Sequence, residues 1–309
     1  MRAWAQRGLV QARHRIYLLL LAGASHLPLG KAYAVARWLG RVRYRRLPRS
    51  LWLNDDVRGA LGLSRADMEE WGRRASELRE SEALEAHLYR RLERGSLGRL
   101  IRIEGLENLE AALEHGKGAL LFSGHIASRF TFFAALAELG HAPSIVGYPP
   151  ALGPSGATLP IDLRLRERRA ALLEEKFGCR FLWMQPGNPG VAVKAANALR
   201  RNGVVAMLVD LSHHNTSVEV DLLEGRTRFA VGPALVAQAT GAPMLDFFIY
   251  RDEHWVPQVA EIGPPFSVGE DPEGAVRECA ARLDAQIRRH PPPPWKFFSI
   301  YPWDFAGRG

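Results

Sequence analysis

One histidine of the chain, His125, lies at a position that suits a general base. His125 follows the short apolar run Gly118–Phe122, which predicts a buried strand, and precedes residues 130–139, whose composition predicts a helix. Near a helix start the helix dipole disfavours an imidazolium, so the ring tends to stay neutral and can accept a proton. This position predicts general-base chemistry, such as deprotonating a hydroxyl that attacks an acyl carbon. A purely structural histidine is the alternative interpretation.

Arginines at two positions along the chain are candidates for binding an anion. Arg129 lies one turn beyond His125 on the predicted helix and could face the same cleft. Farther along the chain, Arg226 and Arg228 supply charged donors, and Gly225 permits close approach of the backbone. In each case a solvated surface arginine is the alternative.

The elements predicted around these residues alternate between strands and helices. Strands are predicted at 118–122, 143–146, 180–183, 204–209, 244–250 and 256–262, and helices at 64–94, 131–139, 162–177, 190–201, 232–240 and 273–289. Such alternation predicts the α/β class, with a mainly parallel central sheet flanked by helices. Ligands of such sheets bind beyond the carboxyl ends of strands, where His125 is predicted to lie.

The positive charge of the chain is concentrated in its first 54 residues. The net charge is +8, yet residues 1–54 contain eleven cations and no acid, so the remainder is net negative. These cations alternate with aromatic and aliphatic residues, which predicts an amphipathic helical segment on an anionic membrane surface, followed by an α/β domain over 55–309.

Other interpretations of the basic segment fit its sequence less well. The uncharged stretch 16–30 is shorter than the ~20 residues that cross a bilayer. Its dense apolar run argues against nucleic acid as the partner, and the cations beyond it argue against a signal peptide.

Redox and metal chemistry have little support in the sequence. The two cysteines, Cys179 and Cys279, suit a reducing compartment and are expected to be buried structural residues. Asp210 is followed closely by His213 and His214, but adjacent histidines on an extended chain point to opposite sides. No metal site and no redox cofactor are therefore expected.

The stretch Gly124–Phe130 resembles the His-x4-Asp/Glu motif of the glycerolipid acyltransferase superfamily. Residues 200–210, 221–234 and 287–298 resemble its bacterial lipid A (lauroyl/myristoyl) branch, and the resemblance extends over about residues 20–300. It implies that His125 deprotonates the acceptor hydroxyl and that an acid orients this histidine. The acid position holds Phe130, which cannot accept a hydrogen bond, so Asp210 or Glu224 is the candidate replacement.

The resemblance also implies an activity and a location. The expected reaction transfers a fatty acyl group from an acyl thioester, of acyl carrier protein or coenzyme A, to a hydroxyl of a lipid or glycolipid acceptor. The expected location is the cytoplasmic face of the bacterial inner membrane, as a peripheral or monotopic protein. Besides the catalytic His125 and Asp210, the implied substrate-binding residues are Arg129, Arg164, Arg166, Glu224, Gly225, Arg226 and Arg228.

Two other functions stay open at this stage. Because Phe130 replaces the acid, the chain could be a catalytically silent homologue that binds lipid or a partner enzyme. Hydrolysis of the acyl thioester would use the same histidine with water as the nucleophile.

Overall fold

A computed structural model describes residues 16–46, 58–59, 61–93, 95–125, 129–150, 160–185, 190–210, 216–252 and 254–290. Residues 16–24 are helical and lead into α1 (Leu29–Tyr44). The next long helix is α2 (Arg65–Leu88), which begins at a capping box: Asp67 N–H donates to the Ser64 side chain and Ser64 N–H donates to the Asp67 carboxylate. A short 3-10 helix (Leu97–Arg99) precedes the first strand.

The described strands form one seven-stranded sheet and a separate hairpin. They are β1 (Ile101–Glu104), β2 (Ala119–Ser123), β3 (Ser144–Gly147), β4 (Arg180–Trp183), β5 (Val204–Leu208), β6 (Ser217–Leu222), β7 (Gly225–Ala230), β8 (Met244–Tyr250) and β9 (Gln258–Ile262). The sheet has the order β1-β9-β8-β2-β5-β3-β4, and β6 with β7 makes the hairpin. All neighbours in the sheet are parallel except β8 and β9. The predicted mainly parallel sheet is confirmed.

Helices cover both faces of this sheet. They are α3 (Leu106–Glu114), α4 (Phe130–Glu138), α5 (Pro160–Phe177), α6 (Gly190–Arg200), α7 (Gly232–Thr240) and α8 (Pro272–Arg289). Side chains of β2 alternate between two buried clusters, as a strand buried on both faces requires. Leu121 packs with residues of α4 and α5, whereas Leu120 and Phe122 pack with residues of α6, α7 and α8.

The connections leave the sheet on opposite faces at β2 and β5. The chain passes from β2 into α4 on the first face, whereas the hairpin and α7, which follow β5, pack on the second face. Since β2 and β5 are parallel neighbours, the general rule for α/β sheets predicts a ligand crevice between their carboxyl ends. This is the place where α/β sheets bind their ligands.

The N-terminal helices pack on each other and pair their charges. A Cβ atom on Gly40 of α1 would lie 2.5 Å from the Cα atom of Glu77, so only glycine allows this close approach. Arg37 Nε lies 2.8 Å from Glu77 Oε2, and Arg43 lies 3.8 Å from Glu80. These cations of the basic segment are therefore engaged by acids of α2, which the sequence did not indicate.

The outer surface of these helices carries apolar side chains. We call Ile16, Leu19, Leu20, Leu27 and Trp38 the N-terminal apolar patch, since each is exposed to solvent. Leu21 and Ala24 of the same stretch are buried, so residues 16–24 carry apolar side chains on both their buried and their exposed sides. No helix in the described part of the chain is both long enough and apolar enough to cross a membrane.

The predicted boundary between residues 54 and 55 lies outside the described residues. The helices on either side of it, α1 and α2, are in close contact through Gly40, Tyr33 and their partners on α2. The division into segments 1–54 and 55–309, and the attachment of the first to a membrane, remain predictions.

Candidate active site

The carboxyl ends of β2 and β5 bring His125 and Asp210 together. Ser123, the last residue of β2, pairs in register with Leu208, the last residue of β5. The Val209 N–H donates to the Ser123 carbonyl at 3.1 Å and continues the pairing by one residue. His125 and Asp210 each lie two residues beyond the strand end, so they reach the crevice at the same level.

Both oxygens of the Asp210 carboxylate contact His125. The His125 backbone N–H donates to Asp210 Oδ2 at 2.6 Å, and the ring Nδ1 lies 2.9 Å from Asp210 Oδ1. Asp210 is 1% exposed, whereas the His125 side chain is 17% exposed at the edge of the crevice. Two contacts from one carboxylate fix both the position of the backbone and the plane of the ring.

These contacts decide which ring nitrogen of His125 can act as a base. An ionised carboxylate only accepts hydrogen bonds, so the proton belongs on Nδ1 and donates to Asp210. Nε2 then carries the lone pair. A histidine held in this tautomer by a buried acid is the arrangement that takes a proton from a hydroxyl nucleophile.

Phe130, at the acid position of the motif, points to a cluster of cations. The guanidinium carbon of Arg169, on α5, lies 3.8 Å from the Phe130 ring centroid, and that of Arg129 lies 5.2 Å from it. Both distances are within the range of cation–π contacts. Burial lowers the pKa of Arg169 although Tyr89 acts to raise it. The acid position of the motif therefore faces arginines, and Asp210 takes its place beside His125.

Phe130→Glu is expected not to increase the rate of acyl transfer, because the Nδ1 proton of His125 already forms a hydrogen bond with Asp210. The new carboxylate would meet the guanidinium groups of Arg129 and Arg169, so an ion pair would replace the cation–π contacts. We expect the free energy of unfolding to change by less than about 2 kcal/mol. Urea denaturation and an acyl-transfer assay measure the two quantities.

Phe132→Glu is the matched control for this change. Phe132 is fully buried and stacks on Phe247 with ring centroids 4.9 Å apart, so its replacement buries an unpaired charge and should prevent folding. A several-fold increase in transfer by Phe130→Glu would show that the acid position of the motif does reach His125, contrary to this geometry.

The other arginines that were predicted to bind substrate lie in two parts of the fold, on α5 and on the hairpin. Arg166 lies close enough to Arg169 on α5 for its charge to lower the pKa of that guanidinium. Arg164, two residues earlier on α5, is exposed. Arg226 and Arg228 lie on the exposed face of β7, in the separate hairpin.

The side chains of the hairpin are engaged by acceptors of the hairpin itself. Arg226 lies 3.4 Å from Glu219, and Arg228 donates to the hydroxyl and the carbonyl of Ser217 at 2.9 Å each. Glu224 is exposed in the turn at φ 62°, next to Gly225, which is buried at the start of β7. The anion site expected at residues 224–228 remains a prediction.

Contacts of the hairpin turn place Glu224 away from the crevice. The Leu223 N–H donates to Asp284 of α8 at 2.6 Å, and the charge of Glu224 acts on Arg288 of the same helix. The opposite end of the hairpin reaches β5, where Ala230 N–H donates to the Val209 carbonyl at 2.8 Å. Of the two acids considered as replacements, Asp210 contacts His125 and Glu224 lies beside α8.

Metal ligation by Asp210 with its two neighbouring histidines was considered from the sequence. His213 and His214 lie outside the described residues. Within the described ranges, no group of three or more His, Cys, Asp or Glu side chains could hold a metal ion.

Comparison with protein families adds independent evidence on the second half of the chain. Residues 154–298 match the model of the bacterial lipid A biosynthesis acyltransferase family. These 145 of the 309 residues are therefore similar to that family. Comparison with curated proteins finds no match to the chain.

This match covers only part of the crevice. It includes Asp210 and the arginines of α5, whereas His125 and Phe130 precede it. The family therefore supports a lipid acyltransferase in general, and the role of His125 is supported by its geometry and its motif.

Sequence reasoning missed Arg169 as the partner of Phe130. It lies three positions after Arg166, so both fall on one side of α5, but a run of charges on a helix usually faces solvent. The helical spacing relative to Arg166 was the available signal.

Proposed function

We propose that this chain is a membrane-associated acyltransferase that moves a fatty acyl group from an acyl thioester to a hydroxyl of a lipid or glycolipid acceptor. The observation that carries the proposal is the double contact between His125 and the buried Asp210, at the crevice where α/β sheets bind ligands. The family match of residues 154–298 supplies the substrate class, a lipid acceptor with an acyl donor.

The proposed reaction is a direct transfer in which His125 acts as the general base. Nε2 accepts the proton of the acceptor hydroxyl while that oxygen attacks the thioester carbonyl carbon. The C–S bond then breaks, and the departing sulfur takes the proton from the imidazolium, so the histidine is restored. Asp210 holds the ring and stabilises the imidazolium while it exists.

The alternative of a silent homologue rests on Phe130 at the acid position. Its premise is that His125 has no carboxylate partner. The 2.9 Å contact between His125 Nδ1 and Asp210 Oδ1 favours the catalytic proposal, because an acid from a neighbouring strand supplies what position 130 lacks.

A transfer assay with the purified full chain tests the proposal. The protein is incubated with acyl carrier protein or coenzyme A thioesters of several chain lengths and with phosphorylated glycolipid or lysophospholipid acceptors. The proposal expects an acceptor heavier by one acyl group in intact-mass analysis. Release of free fatty acid with no acylated lipid would assign the chain to thioester hydrolysis, and neither product would favour the silent homologue.

We also propose that the N-terminal apolar patch sits in the headgroup region of the cytoplasmic face of the bacterial inner membrane. Its side chains are exposed on two helices and the turn between them, and the other faces of these helices are buried, which suits an interfacial segment. Lys31, Arg45 and Arg46 are exposed beside it and would favour anionic lipids. The protein would then be peripheral or monotopic, with its lipid acceptor nearby.

The double change Leu19→Glu/Leu20→Glu is expected to weaken binding to anionic vesicles at least about tenfold. The two side chains are 71% and 49% exposed, and each apolar side chain moved into the membrane contributes about 1.5–3 kcal/mol. Flotation with phosphatidylglycerol-containing vesicles measures the effect. Val193→Glu, at a position 58% exposed on α6, is the control. Equal flotation of the double variant and the unaltered chain would contradict the proposed attachment.

A further inference from the structure

A buried carboxylate on α2 connects three separate parts of the fold. Glu85 is 1% exposed, and its Oε1 accepts from the Tyr33 hydroxyl of α1 at 2.9 Å and from the Arg251 guanidinium. Its Oε2 accepts from the Thr131 hydroxyl of α4 at 2.8 Å. One side chain thus joins the N-terminal helices, the segment after β8 and the helix that follows the His125 loop.

The hydrogen bonds at Thr131 have a defined direction. The Thr131 hydroxyl has a single proton, which it donates to the Glu85 carboxylate, so the Tyr89 hydroxyl at 2.6 Å must be the donor to Thr131 Oγ1. Thr131 and Tyr89 are both buried. In this low-dielectric setting the loss of one member leaves its partner unsatisfied.

His125 and Thr131 are each held by a buried carboxylate. Asp210 fixes His125, and Glu85 fixes Thr131 six residues later. The bond between Thr131 and Glu85 anchors the first turn of α4, the helix that follows His125 in the chain.

We propose that Glu85 and Thr131 are positioning residues, which hold the first turn of α4 and through it keep His125 in register with Asp210. This inference rests on the proposed function for its effect on turnover, but its structural part does not. Neither residue lies in the segment that matches the family, and neither contacts the reacting atoms.

Thr131→Val tests the inference, because it removes the hydroxyl and keeps the shape of the side chain. We expect turnover at saturating substrate to fall roughly 10- to 100-fold, since small displacements of a catalytic group have effects of this size. We also expect the carbethoxylation rate of His125 by diethyl pyrocarbonate, followed by peptide mass spectrometry, to rise several-fold. Thr131→Ser restores the hydroxyl and should keep both values within about twofold of the unaltered chain.

Tyr33→Phe is the matched control. It removes one hydrogen bond from the same carboxylate at an equally buried position, but it leaves the bond between Glu85 and Thr131 in place. It should lower the melting temperature much as Thr131→Val does, without changing turnover or the reactivity of His125. If Thr131→Val fails to fold, Thr131→Ala, which adds no methyl group to the buried site, is measured in the same way.

The outcomes separate this inference from the proposed function. Equal His125 reactivity and equal turnover in Thr131→Val and Tyr33→Phe would overturn the inference and leave Thr131 a merely structural residue. If no variant transfers an acyl group, a faster modification of His125 in Thr131→Val alone would still support the positioning role, while the proposed function would fail.

Discussion

His125→Ala is expected to reduce acyl transfer roughly 100- to 10,000-fold while the protein stays folded. The change removes the proposed base, and general-base catalysis contributes about this much to a rate. His125 lies at the edge of the crevice with its side chain 17% exposed, so little packing is lost. Initial rates of formation of acylated lipid, with thermal unfolding as the check on structure, measure both quantities.

His141→Ala is the control for this variant. His141 has a side chain 21% exposed and lies 3.8 Å from Glu110, so it too is a half-buried histidine beside an acid. It precedes β3, at the amino end of that strand, whereas the crevice lies at the carboxyl ends of the neighbouring parallel strands. We expect its replacement to leave the rate within about twofold, because it takes no part in positioning or proton transfer. Full transfer by His125→Ala would contradict the proposed mechanism.

Asp210→Asn is expected to reduce transfer to a similar extent by reversing the tautomer of His125. The His125 backbone N–H always donates, so the single amide oxygen would accept that bond, and the amide NH2 would then face the ring Nδ1. The ring proton would have to move to Nε2, which removes the lone pair that accepts the hydroxyl proton. Loss of the correct tautomer lowers rates by about 10,000-fold in the serine protease example.

Asp246→Asn shows whether loss of a buried acid alone is enough to stop the reaction. Asp246 is 3% exposed on β8, next to β2, and it pairs with Arg282 at 3.1 Å rather than with a histidine. Its replacement should lower stability by about 1–3 kcal/mol and leave the rate of the folded protein unchanged. Transfer by Asp210→Asn at the rate of Asp246→Asn would mean that Asp210 does not orient His125.

Much of the fold was predictable because local patterns determine it. The apolar runs at β2 and β5 and the Ala- and Leu-rich segments at α4 and α6 match the predicted elements to within one residue or so. The strand order depends on contacts between residues that are distant in the sequence. Single-sequence patterns contain no direct record of these contacts.

The candidate site was predictable in its residues and only partly in its arrangement. His125 was identified from its place between a strand and a helix, and Asp210 from its place at the end of a strand. Their contact requires β2 and β5 to be neighbours, which no local pattern states. Arg169 and Glu85 were missed because charges on a helix normally face solvent, whereas these two face other buried groups.

The transfer rate of the double variant His125→Ala/Asp210→Asn tests the central claim most directly, since the claim is that these two residues act as one unit. If Asp210 works only by orienting His125, its replacement adds nothing once the histidine is absent. The account predicts that the double variant transfers acyl groups at the rate of His125→Ala, within about twofold. Losses that multiply, so that the double variant is slower by the product of the two single effects, would contradict it.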